Sequence, residues 1–151
     1  MIYAIIAAII FVTDMWIKNM VERKVTEGEE RKIGNGLLLL RKHHNKGAFL
    51  NAGEKKSAFV AFLSIALTLA LTVVFLVTFS FRGSRLLKTG LALLLGGAYS
   101  NTYDRICRRY VVDYVSFLVK NKAIRRIVFN ISDFCIIIGA FCMALGSPPM
   151  K

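Results

Sequence analysis

Two aspartates stand where a carboxylate is expensive. Asp113 lies inside the apolar stretch Val111-Val112-Asp113-Tyr114-Val115, and Asp133 opens a run that continues without charge to Leu145. Two acids held close in apolar surroundings share one proton, because like charges do not both ionise easily. The ionised partner can take a proton from water while the protonated one polarises a carbonyl, which is the chemistry of aspartyl hydrolysis. Such a pair titrates as a unit, so spacing alone assigns neither acid nor base. Each residue also has a plainer reading. Asp113 could pair with Arg108 or Arg109, and Asp133 could be an acid favoured by the dipole at a helix N-terminus.

Other polar residues interrupt apolar stretches. Asp14 and Lys18 are spaced i,i+4, as a pair on one helix face would be. An ionisable residue in a membrane segment marks function by default; the plainer reading is an ion pair near the interface, with Lys18 reaching towards water. Asn101, Asp104 and Arg105 close another apolar block. Asn45-Lys46-Gly47-Ala48-Phe49 follows the adjacent histidines His43 and His44. In a strand these two face opposite ways, so a two-histidine metal site is not expected. Ser100 sits in Gly97-Ala98-Tyr99-Ser100-Asn101, which lacks the elbow of serine hydrolases. Cys107, Cys135 and Cys142 form no ligand spacing and are odd in number, so they read as small apolar residues.

The elements that must position these groups are membrane helices. Of the 151 residues 56% are hydrophobic, above the usual soluble range of about 45–50%. The excess falls in four blocks, Ile2 to Met20, Ser57 to Ser80, Thr89 to Tyr103 and Val128 to Leu145. Each approaches the roughly 20 residues that cross a bilayer. The second has no charge and is flanked by Lys55-Lys56 and Arg82. The third ends in polar residues, so its helix is expected to run on inside a protein-lined space. The first has no basic segment before it and is interrupted by Asp14 and Lys18, so it reads as a retained helix rather than a cleaved leader. The net charge of +12 lies between apolar blocks, which fits lipid headgroups and argues against nucleic acid as a partner. Gly34-Asn35-Gly36 is a turn signal before Leu37-Leu38-Leu39-Leu40, and Val111 to Val119 has strand-like composition. The expected fold is therefore one domain over 1–151, mainly α, with four transmembrane helices and a small β-like extracytoplasmic element between the first two.

Five of these stretches, in order, resemble the motifs of the lipoprotein signal peptidase (signal peptidase II) family. Asp14-Met15-Trp16-Ile17-Lys18 is similar to its D-x-x-x-K, Asn45-Lys46-Gly47-Ala48 to N-x-G-A, and Gly97 to Arg105 to G-x-x-x-N-x-x-D-R. Val111-Val112-Asp113-Tyr114 resembles V-V-D-F with Tyr for Phe, and Phe129-Asn130-Ile131-Ser132-Asp133 resembles F-N-x-A-D with Ser for Ala. The resemblance implies a bacterial inner-membrane aspartyl endopeptidase that needs no metal or other cofactor. Such an enzyme removes signal peptides from diacylglyceryl-modified prolipoproteins, cutting before the lipidated cysteine. It implies Asp113 and Asp133 as the catalytic pair. Asp14, Asn45, Gly47, Asn101, Arg105 and Asn130 would hold substrate or the inhibitor globomycin, and Lys18 would be structural.

The resemblance further implies a monomer among membrane lipids, both termini cytoplasmic and the active site near the outer face. A count of Lys and Arg conflicts with that orientation, because the long connections carry most of them; the ordered motifs outweigh it. The sequence departs from the motifs at Phe49, and Ser132 leaves open whether its hydroxyl meets the dyad or turns away. Two rival readings remain: a small non-enzymatic membrane protein, and an inactive family member motivated by the altered Gly47-Ala48-Phe49.

Overall fold

The computed structural model describes residues 1–47, 57–80 and 84–147. The expected flanking charges Lys55, Lys56 and Arg82, and the altered stretch from Ala48 onward, lie outside those residues. The chain is mainly helical with a small antiparallel sheet. In order it forms α1 (Ile2–Lys24), β1 (Arg31–Ile33), a 3-10 turn (Gly34–Gly36), β2 (Leu38–Asn45), α2 (Ser57–Ser80), α3 (Arg85–Cys107), β3 (Val111–Phe117), the short α4 (Lys122–Arg125) and α5 (Ile131–Gly146).

The helices carry polar groups inward and apolar groups outward. Asp14, Lys18, Ser100, Asp104 and Ser132 are fully buried, while Ile5, Ile9, Trp16, Phe62, Leu67, Ile138 and Phe141 are exposed. That inverts the arrangement of a soluble domain. Two hydroxyls on α2 are satisfied within the helix: Ser64 Oγ donates to the Val60 carbonyl at 2.8 Å and Thr72 Oγ1 to that of Thr68 at 2.7 Å.

The central helix α3 packs against α1, α2 and α5, and glycine lets it approach closely. A Cβ at Gly97 would lie 2.6 Å from the Ser132 carbonyl oxygen, and one at Gly139 would lie 2.6 Å from that of Gly90. Small residues at such crossings bring backbones together where lipid supplies no hydrophobic drive between helices. At this crossing the close approach sets Asn101 beside Asp133.

Two helices, α1 and α2, are long and apolar enough to cross a membrane. The sequence anticipates four. α3 has the length but carries Arg85, Lys88, Asp104 and Arg105, and α5 has only 16 residues, about 24 Å at 1.5 Å each. α5 starts at Ile131 rather than Val128 because the preceding backbone is taken by the sheet. Val115 N–H donates to the Phe129 carbonyl at 2.8 Å, and Phe129 N–H returns to that of Val115 at 2.7 Å.

The sheet also differs from expectation. Its order is β1-β2-β3, so the third strand comes from between α3 and α5, not from the first connection. The Gly-Asn-Gly turn is present, with Asn35 at φ 56° and Gly36 at φ 81°, a left-handed backbone that favours Gly and tolerates Asn. A register shift between Leu40 and His43 puts an extra residue into β2. Beyond that bulge Asp113 lies opposite His43, and Asn45 opposite Val111.

Candidate active site

Asp113 and Asp133 both line one cavity of about 840 Å³. Its walls include Asn45 from the end of β2, Asn101 and Arg105 from α3, and Leu67, Leu71, Leu94 and Ile136 from three helices. One side is thus polar and carries the acids, and the other is an apolar trough.

Each of the four carboxylate oxygens accepts an N–H. Asp113 Oδ1 accepts from Asn130 Nδ2 at 2.7 Å and its Oδ2 from Asn45 Nδ2 at 3.0 Å. Asp133 Oδ1 accepts from Asn101 Nδ2 at 3.0 Å and its Oδ2 from the Asn130 backbone N–H at 3.0 Å. None of the three amides is free to flip. Asn45 Oδ1 is held by Gly47 N–H at 3.1 Å, Asn101 Oδ1 by Lys18 at 2.8 Å, and Asn130 Oδ1 by Asp133 N–H at 2.9 Å. Each therefore turns its NH₂ to the acids.

Asn130 serves both acids. It caps α5 in a reciprocal box with Asp133 while its side chain reaches Asp113. Asp133 is thus also the helix-end acid of the plainer reading. Asp113 does not take its plainer partner: Arg108 pairs with Asp104 at 3.3 Å instead. Asp113 is 2% exposed. Burial, and next the charge of Asp133, push its pKa up to about 7 against the pull of the Asn45 and Asn130 hydrogen bonds.

Beneath the acids lies a buried ionic layer. Lys18 Nζ meets Asp14 Oδ2 at 2.8 Å, Asp104 Oδ2 at 3.1 Å, Ser100 Oγ at 3.0 Å and Asn101 Oδ1 at 2.8 Å. It does not reach to water; apolar side chains cover the outer face of α1, and the facing turn of α3 supplies all its other oxygens. Asp14 is wholly buried and off the cavity wall, behind Asp113 and Asp133. Ser132 answers its open question in the same place. Its hydroxyl turns away from the dyad and donates to Asp14 Oδ2 at 2.6 Å.

Ser100 also donates to Asp14, at 2.6 Å, and is fully buried off the cavity wall. Gly47 is held from the helix side, its carbonyl accepting from Arg105 Nη2 at 3.2 Å. His43 lines the cavity, while His44 Nε2 lies 2.8 Å from Glu22.

Two contributors were named in the sequence but given no role in the site. Asp104 accepts the backbone N–H of Val112 at 3.2 Å, fixing β3 to α3 next to Asp113. Tyr114 Oη donates to Asp14 Oδ1 at 2.8 Å and accepts Ile131 N–H at 3.1 Å. For Asp104 the signal was available: it lies three residues after Asn101, on the same helix face.

A helical protein that buries its charges, turns apolar side chains outward and holds two acids over an apolar trough has the layout of a membrane-embedded enzyme. Residues 6–147 match the family model for signal peptidase (SPase) II, and the chain belongs to that peptidase family. The lipoprotein signal peptidase of Halalkalibacterium halodurans is 33% identical over 97% of this chain and 88% of its own length. That of Anoxybacillus flavithermus is 32% identical over 95% and 83%. Two bacterial membrane enzymes solved by the in meso method share the fold, with TM-scores of 0.79 and 0.76 at 23% and 19% identity. Each covers 95% of this chain, and the chain covers 85% and 90% of them.

Proposed function

We propose that the chain is an aspartyl endopeptidase of the bacterial inner membrane that removes signal peptides from diacylglyceryl-modified prolipoproteins, cutting before the lipidated cysteine. The observation that carries this reading is the pair Asp113 and Asp133, with an N–H on each oxygen, on the wall of a half-apolar cavity. One acid takes a proton from water, and the other protonates or hydrogen-bonds the scissile carbonyl. As the C–N bond breaks, the proton gained from water passes to the leaving amine and a hydroxyl of the tetrahedral intermediate returns its proton to the other acid, so the pair regains its one-proton state. Arg105 and Asn45, on the polar wall, hold the substrate backbone. The buried Arg105 Nε has no protein partner among the described residues and is a donor for a substrate carbonyl. The acyl chains lie along Leu67, Leu71 and Ile136. The same residues form the site of a globomycin-type inhibitor, and the chain acts as a monomer in lipid.

The pH dependence follows from the pair. With Asp113 at about 7, the one-proton state persists below that value and is lost above it. Turnover should therefore fall as pH rises through about 7. Stability follows the same sign: the folded state keeps a proton that the unfolded chain releases near 3.8. This contribution is complete below that value and is lost as pH rises through the folded pKa. A cleavage rate that stays level from pH 6 to 9 would count against a shared proton, that range running from roughly one unit below the Asp113 value to roughly two above it.

All four long helices span the bilayer, and the outward apolar residues of α5, Ile137, Ile138, Phe141 and Leu145, support this for the shortest. The sheet and α4 lie at the outer face and both termini in the cytoplasm. Cys107, exposed at the dyad end of α3, should then react with an impermeant thiol reagent in intact cells. A Ser84→Cys substitution at the other end of α3 should not react; labelling there reverses the orientation.

A further inference from the structure

Each proposed catalytic acid has a hydroxyl as its next-door neighbour: Tyr114 follows Asp113 and Ser132 precedes Asp133. Neighbours in a strand point to opposite faces, and neighbours in a helix lie about 100° apart. Both hydroxyls are therefore directed behind the acids when the acids face the cavity. They meet on one carboxylate: Tyr114 Oη donates to Asp14 Oδ1 at 2.8 Å, and Ser132 Oγ to Asp14 Oδ2 at 2.6 Å. The three side chains are buried, with Tyr114 2% exposed and the others 0%. These are also the two positions where the sequence departs from the fourth and fifth motifs.

We propose that Tyr114 and Ser132 are positioning residues that act as one unit, clamping the Asp14 carboxylate between β3 and α5 and so fixing the separation of the two catalytic acids. The inference rests on the aspartyl reading. Tyr114 ties both sides at once, because its oxygen also accepts the N–H of Ile131 at 3.1 Å. That N–H opens α5 and has no helical acceptor. Burial, and next the Asp14 charge, raise the Tyr114 pKa, so the phenol remains a donor throughout the neutral range. Lys18 and Ser100 hold Asp14 Oδ2 from α1 and α3. Only Tyr114 donates to Oδ1 among the described residues, so its loss unties β3 from the carboxylate and leaves Ser132 holding a group no longer fixed to the Asp113 side.

The test is steady-state cleavage of a diacylglyceryl-modified precursor by Tyr114→Phe, Ser132→Ala and the double variant. A displacement of the acids by a fraction of an ångström should lower kcat about tenfold in each single variant, with KM within about twofold. The double variant should lie within about twofold of Tyr114→Phe alone, as expected of residues that work as a unit. Ser132→Ala removes one atom from a helix and reports even where Tyr114→Phe does not accumulate. Single variants with parental kcat, or losses that multiply in the double variant, overturn the inference. Asp113→Asn in the same assay tests the underlying reading separately: equal cleavage by it and by the parent defeats the dyad, whatever the hydroxyl variants do.

Discussion

Replacing Asp113 or Asp133 by asparagine is expected to lower turnover of a lipid-modified precursor by at least about 10³-fold, the range for loss of a general acid or base. An amide cannot take a proton from water, and the remaining acid cannot fill both roles. The fold should survive, because both positions keep their shape and α5 keeps its Asn130 cap. Asparagine at 113 also removes the cost of a buried carboxyl group, although its NH₂ would face either Asn45 or Asn130, both of which present donors. Folding should be followed by thermal unfolding in detergent. Loss of activity together with loss of the folded state would leave the acids with a structural role and no catalytic one.

Lys18→Met should have the largest effect on stability. Lys18 is fully buried between Asp14 and Asp104 and also holds Ser100 and Asn101. Methionine fills much of the volume but leaves Asp14 buried without a cation and Asp104 with Arg108 alone. Removing one partner of a buried ion pair costs about 3–5 kcal/mol, a large part of the 5–15 kcal/mol or so that holds a typical domain. A fall in the unfolding midpoint on the order of 10 °C is expected for a chain of this size. Activity should fall too, because Asn101 Oδ1 loses the donor that turns its NH₂ towards Asp133. A midpoint within about 2 °C of the parent would show that the layer carries little stability, since 1 kcal/mol moves the midpoint by roughly that amount or more.

The parts of the fold that depend on local composition were legible in the sequence. α2 runs over the charge-free block Ser57–Ser80, and the Gly-Asn-Gly turn precedes a strand. The start of α5 was not legible, because Val128 and Phe129 are apolar in either state and only the pairing of Phe129 with Val115 decides between strand and helix. Val111 to Val119 read as a strand, but its pairing with β2 of the first connection was hidden, because a partner so distant in sequence leaves no local signal. Asp113 and Asp133 stood out because each is an acid in an apolar stretch. The layer beneath them did not, since Asp104, Tyr114 and Ser132 take their roles from contacts up to 118 residues apart. The plainer reading, with Lys18 reaching outward, stayed open because the sequence does not reveal that Ser100 and Asp104 face it from α3.

Mass spectrometry of the products formed from a diacylglyceryl-modified precursor, by the purified protein and by its Asp113→Asn and Asp133→Asn variants, tests the aspartyl reading most directly. The parent should release a signal peptide ending just before the lipidated cysteine, and neither variant should release it. Cleavage at the parental rate by either variant, or parental cleavage at another bond, would contradict it.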